Sequence, residues 1–203
     1  MAYDRPVHRL TAPFAVLIGA ARDGEGWAFE RLFHDLAPAV HGYLRFQGAR
    51  EPDDLTNEVL AGAFAGLAGF VGDERAFRSW VFTIAYRRLV DGRRRQSRRP
   101  LPGELGVETP AGAPGRSSGL SGGDVETEAM TNLAAERARD LLDSLPHDQR
   151  NVLLLRVVAD LGIDEVASVL GKRPSAVKAL QRRGLGGLRR KLGEEVLGQV
   201  VSR

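Results

Sequence analysis

Between Pro100 and Asp124 the chain loses every apolar period, and Pro, Gly and Ser take over. A stretch of that length without helical or strand pattern does not fit inside a compact domain, so it reads as a tether between two separately packed units. The charge follows the same division. Arg87–Arg99 holds seven arginines against Asp91, a local charge of +6. Pro100–Glu128 holds five acids against Arg116, a local −4, and Leu141–Leu192 comes to +5. Two basic blocks around an acidic tether point to a polyanionic partner, a pattern hidden in the overall charge of +3. The expected division is an arm over residues 1–13, a helical domain over 14–99, a flexible acidic linker over 100–124, and a second helical domain over 125–203.

Several classes drop out. The 203 residues include no cysteine, which removes disulfide frameworks and thiolate metal sites and fits a reducing compartment. The apolar run Phe14–Ala21 is too short to span a bilayer and leads into Arg-Asp-Gly rather than a cleavage site. A cytoplasmic protein without membrane insertion is expected. His8, His34, His41 and His147 are scattered, and neither a nucleophile motif nor a phosphate-cradling glycine loop is present. No metal, no cofactor and no enzymatic chemistry are expected. Aromatic residues make up only 6% of the chain, so the cores should be built from Leu, Val and Ala.

In the first unit, Trp27, Phe29, Leu32, Phe33, Leu36 and Val40 recur at helical steps, predicting one core-facing stripe. Gly48–Pro52 breaks it. Pro52 suits the first position of a new helix, and Asp53 and Asp54 complement its positive end. Leu55, Val59, Ala63, Leu67 and Phe70 form the predicted buried side, with Asp54, Asn57 and Glu58 opposite. Gly69–Arg75 reads as a loop. A long third helix carries Phe77, Trp80, Val81, Ile84, Ala85 and Leu89 on one face, and Arg87, Arg94, Arg95 and Arg98 form a basic stripe at its far end. Trp80, Phe82 and Tyr86 read as core side chains rather than base-stacking ones.

In the second unit, periodicity resumes near Val125, breaks at Leu145-Pro146, and continues as an apolar run, Val152–Leu161, expected to be a buried helix. Asp164 is the predicted N-cap of a short helix through Leu170, and Gly171 suits its left-handed end. Ser175 is the predicted cap of the next helix, with Val177, Leu180 and Leu188 inward and Ser175, Lys178 and Arg182 outward. This is a helix-turn-helix pattern, and the outward face of its second helix is where base and phosphate contacts belong. Gly184, Gly186 and Gly187 each cost a helix about 1 kcal/mol relative to Ala, which predicts fraying or bending after Arg183.

Together these segments resemble the bacterial sigma factors of the extracytoplasmic-function (ECF) group. LIGAARDGEGWAFERLF resembles the start of that family's region two, DDLTNEV (Asp53–Val59) its acidic "DLTQEV" stretch, and FRSWVFTIA the helix leading into minus-ten recognition. LLDSLPHDQRNVLLLRVV with the following helix-turn-helix resembles region four. The likeness covers roughly Leu17–Arg99 and Glu136–Leu192. It departs from the usual pattern at Asn57, where the family commonly has Gln, at Arg87, where Asn is frequent, and at Leu180-Gln181, where Arg-Leu is common.

The resemblance implies an all-α protein of two small helical domains, region 2-like and region 4-like, joined by a flexible linker. It implies core RNA polymerase as partner, through the clamp of the largest subunit and the flap of the second-largest, together with promoter DNA and an anti-sigma factor. Asp53, Asp54, Asn57 and Glu58 would dock on the polymerase. Gly72, Asp73, Glu74 and Arg75, beside Val71, would capture a base flipped from the minus-ten element. Arg87, Arg94, Arg95 and Arg98 would serve the same element, and Arg173, Ser175, Lys178, Gln181, Arg182 and Arg183 the minus-thirty-five element. Two other readings compete. A stand-alone helix-turn-helix regulator leaves DDLTNEV and the arginine run unused, and a sigma-like decoy that binds a regulator would accommodate the departures.

Overall fold

The structure, a computed structural model, describes residues 13–98 and 136–201, with side chains described through 95 and 193 respectively. The arm, the linker and the start of the second periodic unit, including Met130 and Leu133, lie outside the described residues, as does the side chain of Arg98. The described residues are helical, with no strand among them.

Four helices form the first lobe: α1 (Phe14–Arg22), α2 (Gly26–Phe46), α3 (Pro52–Ala65) and α4 (Glu74–Arg98), with a single 3-10 turn, Leu67–Gly69, between the last two. The inner face of α2 is Ala28, Leu32, Leu36, Val40 and Tyr43. Trp27 and Phe33 do not belong to it, being 50% and 39% exposed. Each neighbours a residue of the 28/32/36/40 row, and a stripe at four-residue steps turns the adjacent position outward. α3 starts as expected, with Pro52 in its first turn beside Asp53 and Asp54. It ends at Ala65, so Leu67 and Phe70 enter the core from the turn that follows. Gly66 makes this junction possible, since a Cβ there would lie 2.9 Å from the Trp80 ring. Trp80 stacks on Phe70 with centroids 5.4 Å apart, and Phe77 and Phe14 complete the cluster. Each fully buried Leu or Phe contributes about 1.5–3 kcal/mol from removal of apolar surface from water.

The second lobe comprises α5, described over 136–143, then α6 (His147–Val157), α7 (Ile163–Leu170) and α8 (Pro174–Val201). Arg150 ties α5 to α6 by donating to the Leu142 carbonyl at 2.9 Å and pairing with Asp143 at 2.7 Å. α6 stops four residues before Leu161, and Asp160 takes a left-handed φ of 52° in the connection to α7. Two capping expectations change. The N-cap of α7 is Gly162, whose N–H donates to the Glu165 carboxylate, and Asp164 sits inside the first turn. α8 begins at Pro174, so Ser175 lies within its first turn rather than capping it. Gly171 ends α7 at φ 62°, as predicted.

The fraying expected after Arg183 is absent, since α8 runs on to Val201. Gly184 is buried, and a Cβ there would lie 3.0 Å from Leu153 Cδ1; one at Gly187 would lie 3.0 Å from Leu145 Cδ2. Both glycines let α8 approach α6 and the turn before it, so packing offsets their poor helix propensity.

The lobes share one continuous core. α4 lies along α7, and the end of α2 meets α6. Arg78, 9% exposed, donates from Nε to the buried Ala159 carbonyl at 2.7 Å.

Candidate nucleic-acid and polymerase interface

Asp53, Asp54, Asn57 and Glu58 are all exposed on α3. The outward side of this helix follows from its inward one, where Val59, Leu60 and Ala63 are buried and the Thr56 hydroxyl donates to the Pro52 carbonyl at 2.6 Å. Two of the four acids and amides have neighbours: His41 Nε2 lies 3.3 Å from Asp53, and Arg88 lies 3.2 Å from Glu58. The result is a ridge of negative charge on a rigid support.

The loop ahead of α4 is fastened from below. Arg22 donates to the carbonyls of Leu67, at 3.3 Å, and of Phe70. Val71 then projects with 93% exposure. Asp73 is engaged as a helix cap, its carboxylate accepting the Ala76 N–H at 2.8 Å. Arg75 reaches across to the other lobe, 3.7 Å from Glu165. Of the predicted loop residues, Gly72 is exposed, Glu74 is half-buried, and Asp73 and Arg75 already have protein contacts.

The arginine run on α4 is heterogeneous. Arg87, Arg94 and Arg95 are exposed. Arg88 pairs with Glu58, and Arg93 turns inward, donating to the Gln47 carbonyl at 2.6 Å and facing His147 Nε2. Phe82 is fully buried, edge-on to Tyr43, while Trp80 and Tyr86 are half-buried against the core.

On α8, Val177 is buried and Leu180 half-buried against α7, which fixes the opposite face. That face presents Ser175, Lys178 and Arg182, all exposed, with Arg173 at the start, Arg183 beside them and Gln181 partly covered. Arg182 and Arg183 also border a groove of about 500 Å³ with Pro146, Gln149, Arg190 and Lys191. Lys172, unlike these cations, is spent on Asp148 at 2.8 Å.

One cluster was not anticipated. Asn151, 1% exposed, accepts from the Tyr43 hydroxyl at 3.3 Å and from the Gln47 side-chain amide, and its own Nδ2 lies 3.1 Å from His147 Nδ1. Burial, with Tyr86 nearby, pushes the Tyr43 hydroxyl above its usual range, so it stays protonated. Burial likewise lowers Arg78 from its ordinary value, partly offset by Asp160, Glu74 and Asp35, and leaves a guanidinium that remains charged. Asn151 beside the run Val152–Leu155 was the signal available in the sequence: a polar side chain entering a buried helix needs partners. Among the described residues no cluster of three carboxylates or imidazoles could hold a metal ion, and no helix is long and apolar enough to cross a membrane.

Two helical lobes, one ending in a helix-turn-helix and the other in a long basic helix, define an all-α fold with two basic faces. Comparison with known families assigns the class. Sigma-70 region 2 matches residues 32–99, and Sigma-70, region 4 matches residues 135–186. The chain is 30% identical over 186 residues to the ECF RNA polymerase sigma factor ShbA of Streptomyces griseus, a likeness covering 88% of this chain and 95% of that one. Among solved structures, CnrH in complex with the cytosolic domain of CnrY superposes with a TM-score of 0.63 at 22% identity, over 89% of this chain and 97% of that one. The sigma factor RpoE in complex with the anti-sigma factor NepR from Bartonella quintana gives 0.59 at 20% identity, over 81% and 96%. The chain belongs to the ECF RNA polymerase sigma factors.

Proposed function

We propose that the two lobes divide promoter recognition between them, α8 reading the minus-thirty-five element and the first lobe holding core polymerase and engaging the minus-ten element. The observation that carries this is the outward face of α8, where Lys178 and Arg182 stand one turn apart on a helix whose inner side is fixed by Val177. A helix in the major groove offers such side chains to base edges and flanking phosphates. Arg173, Ser175, Gln181 and Arg183 flank them. The α3 ridge of Asp53, Asp54, Asn57 and Glu58 is the polymerase contact. Arg87, Arg94, Arg95 and Arg98 with the Gly72–Arg75 loop serve the minus-ten strand, although the cap made by Asp73 and the pairing of Arg75 leave Gly72 and Val71 as the loop's readiest contacts.

The protein performs no chemistry of its own and needs no cofactor; it works in the cytoplasm, where the polymerase does the catalysis. The two lobes, joined through a common partner, gain from effective concentration, so neither needs high affinity alone. An anti-sigma partner is part of this reading, supported by the similar sigma factor RpoE having been solved in complex with the anti-sigma factor NepR. A lone regulator would need only the helix-turn-helix and no ridge on α3.

The test pairs transcription with polymerase affinity. Arg182→Ala lowers transcription from promoters that depend on the minus-thirty-five element and leaves core binding intact. Asp54→Lys with Glu58→Lys weakens core binding with helical content unchanged. Loss of core affinity in the Arg182 variant, or unchanged affinity in the charge-reversed one, ends this division of labour.

A further inference from the structure

The loop between α3 and α4 is held from a helix that no contact surface has claimed. α1 ends at Arg22, and its inner side, Leu17, Ile18 and Ala21, is buried, with α2 as its main neighbour, so a side chain at its end starts from a fixed base. From there the Arg22 guanidinium donates to two backbone carbonyls on the way into the loop, that of Leu67 at 3.3 Å through Nε and that of Phe70 through Nη2. A planar guanidinium carries its donors in a rigid fork and fixes two acceptors relative to each other, which an ammonium on a flexible stem does not. α1 precedes residues 32–99, the span that matches Sigma-70 region 2, so that match gives Arg22 no role.

The loop is tied down on its other sides as well. The Phe70 ring stacks on Trp80 with centroids 5.4 Å apart and meets Phe77 edge-on at 5.2 Å. At the exit, the Asp73 carboxylate accepts the Ala76 N–H at 2.8 Å, and its carbonyl accepts the Phe77 N–H at 2.9 Å. A Cβ at Gly72 would lie 2.8 Å from the Ala76 Cβ and 3.0 Å from Phe70 Cζ, so the backbone there rests directly on this base. Between the two ties stand Val71, 93% exposed, and Gly72, also exposed. The result is a two-residue tip on a braced stem. A recognition surface has to be held within about 0.5 Å of its productive geometry by supporting contacts, and a stem ordered in advance loses less entropy on binding.

We propose that Arg22 is a positioning residue for minus-ten reading: by holding the Leu67 and Phe70 carbonyls it keeps the Val71-Gly72 tip set to receive an unpaired base, without touching the nucleic acid itself. The proposal rests on the assignment of this loop to the minus-ten strand. An exposed arginine near a nucleic-acid surface has another use, as a phosphate contact, and the two uses differ in what the charge does. A phosphate contact works through its charge, so Lys largely keeps it, and it contributes about one to the slope of log affinity against log salt. A positioning arginine works through its fork. Lys then keeps the charge but loses the double hold, and removal of the side chain lowers affinity without changing the salt slope.

The test uses full-length protein, alone and as holoenzyme with core polymerase. The probe is a fork-junction DNA with a single-stranded minus-ten segment, taken from a promoter that the wild-type holoenzyme transcribes. In the free protein, Arg22→Ala should speed amide hydrogen exchange over residues 67–72 and leave the rest of the first lobe as in wild type. In the holoenzyme the same variant should bind the probe at least about tenfold more weakly, with core affinity and salt slope unchanged, and Arg22→Lys should recover only part of the loss. Unchanged exchange in the loop, or exchange quickened throughout the lobe, overturns the proposal. So does a salt slope reduced by about one with full recovery in Arg22→Lys, which would make Arg22 a phosphate contact. Val71→Asp, which sets an acid at the tip, separates the two layers of the argument. If it weakens probe binding while Arg22→Ala does not, Arg22 alone loses its role. If it binds the probe as wild type does, the loop does not meet the minus-ten strand, and the proposal falls together with that assignment.

Discussion

α4 and α8 are the two long basic helices of the molecule, and they treat their cations in opposite ways. On α4, Arg78 is buried against Ala159, Arg88 meets Glu58 and Arg93 meets Gln47 and His147. On α8, Lys178 and Arg182 stand exposed beyond Val177, pointing away from the lobe. α4 is therefore scaffold as well as surface: its arginines fix the α3 ridge and the second lobe before any nucleic acid arrives. α8 leaves Lys178 and Arg182 exposed. A count of arginines, which ranks α4 as the more basic element, does not distinguish these uses; only packing does.

The largest expected effect breaks the comparison at Arg78. Arg78→Met fills similar volume but leaves the buried Ala159 carbonyl without its donor, at a cost of about 2–3 kcal/mol. Urea unfolding at neutral pH should register that loss. Arg182→Ala, removing an exposed side chain, should leave the unfolding midpoint within about 0.5 kcal/mol of wild type while lowering promoter affinity by about 1–3 kcal/mol. If the two variants exchange these signatures, the distinction between scaffold and contact cations is wrong.

Much of this was legible in the sequence because periodicity reports burial directly. The helical stripe from Val59 to Ala63, the start at Pro52 and the left-handed end at Gly171 all appear where spacing and turn chemistry put them. The predicted α3 and α8 contact faces are exposed for the same reason, being the complement of the buried ones. What spacing could not supply was anything requiring two distant segments. Arg78 and Ala159 lie 81 residues apart, and Gln47 and Asn151 lie 104 apart. Arg93 and His147, 54 residues apart, carry no local sign of each other. Asp164 and Ser175 do not cap their helices, because each lies within two residues of a Gly or Pro better suited to the boundary itself.

A smaller effect sharpens the picture of α8. Gly184 and Gly186 are alike in propensity and opposite in environment. A Cβ at Gly186 meets nothing closer than Arg190 Nη1 at 4.0 Å, whereas one at Gly184 meets Leu153 at 3.0 Å. Gly186→Ala should stabilise by about 0.5–1 kcal/mol through helix propensity alone. Gly184→Leu should destabilise by about 1–3 kcal/mol through overpacking against α6. Thermal melts of the two variants shifting in the same direction would mean that α8 does not approach α6 as closely as the structure has it.

The smallest effect expected in stability is at Arg88, and it tests whether an α4 cation serves the neighbouring ridge rather than the fold. Arg88 and Glu58 are both largely exposed, with side chains 44% and 57% accessible, so their pair at 3.2 Å is screened by solvent. Arg88→Ala should leave stability nearly unchanged, within about 0.5 kcal/mol. Its consequence should appear in binding: Glu58 is freed from its neighbour, and the α3 ridge gains one unit of net negative charge. If that ridge docks on a basic surface of core polymerase, the association rate should rise at low salt and converge with wild type as screening increases. A slower association at low salt would instead show that Arg88 touches the polymerase itself, and the ridge would then have to be redrawn to include α4.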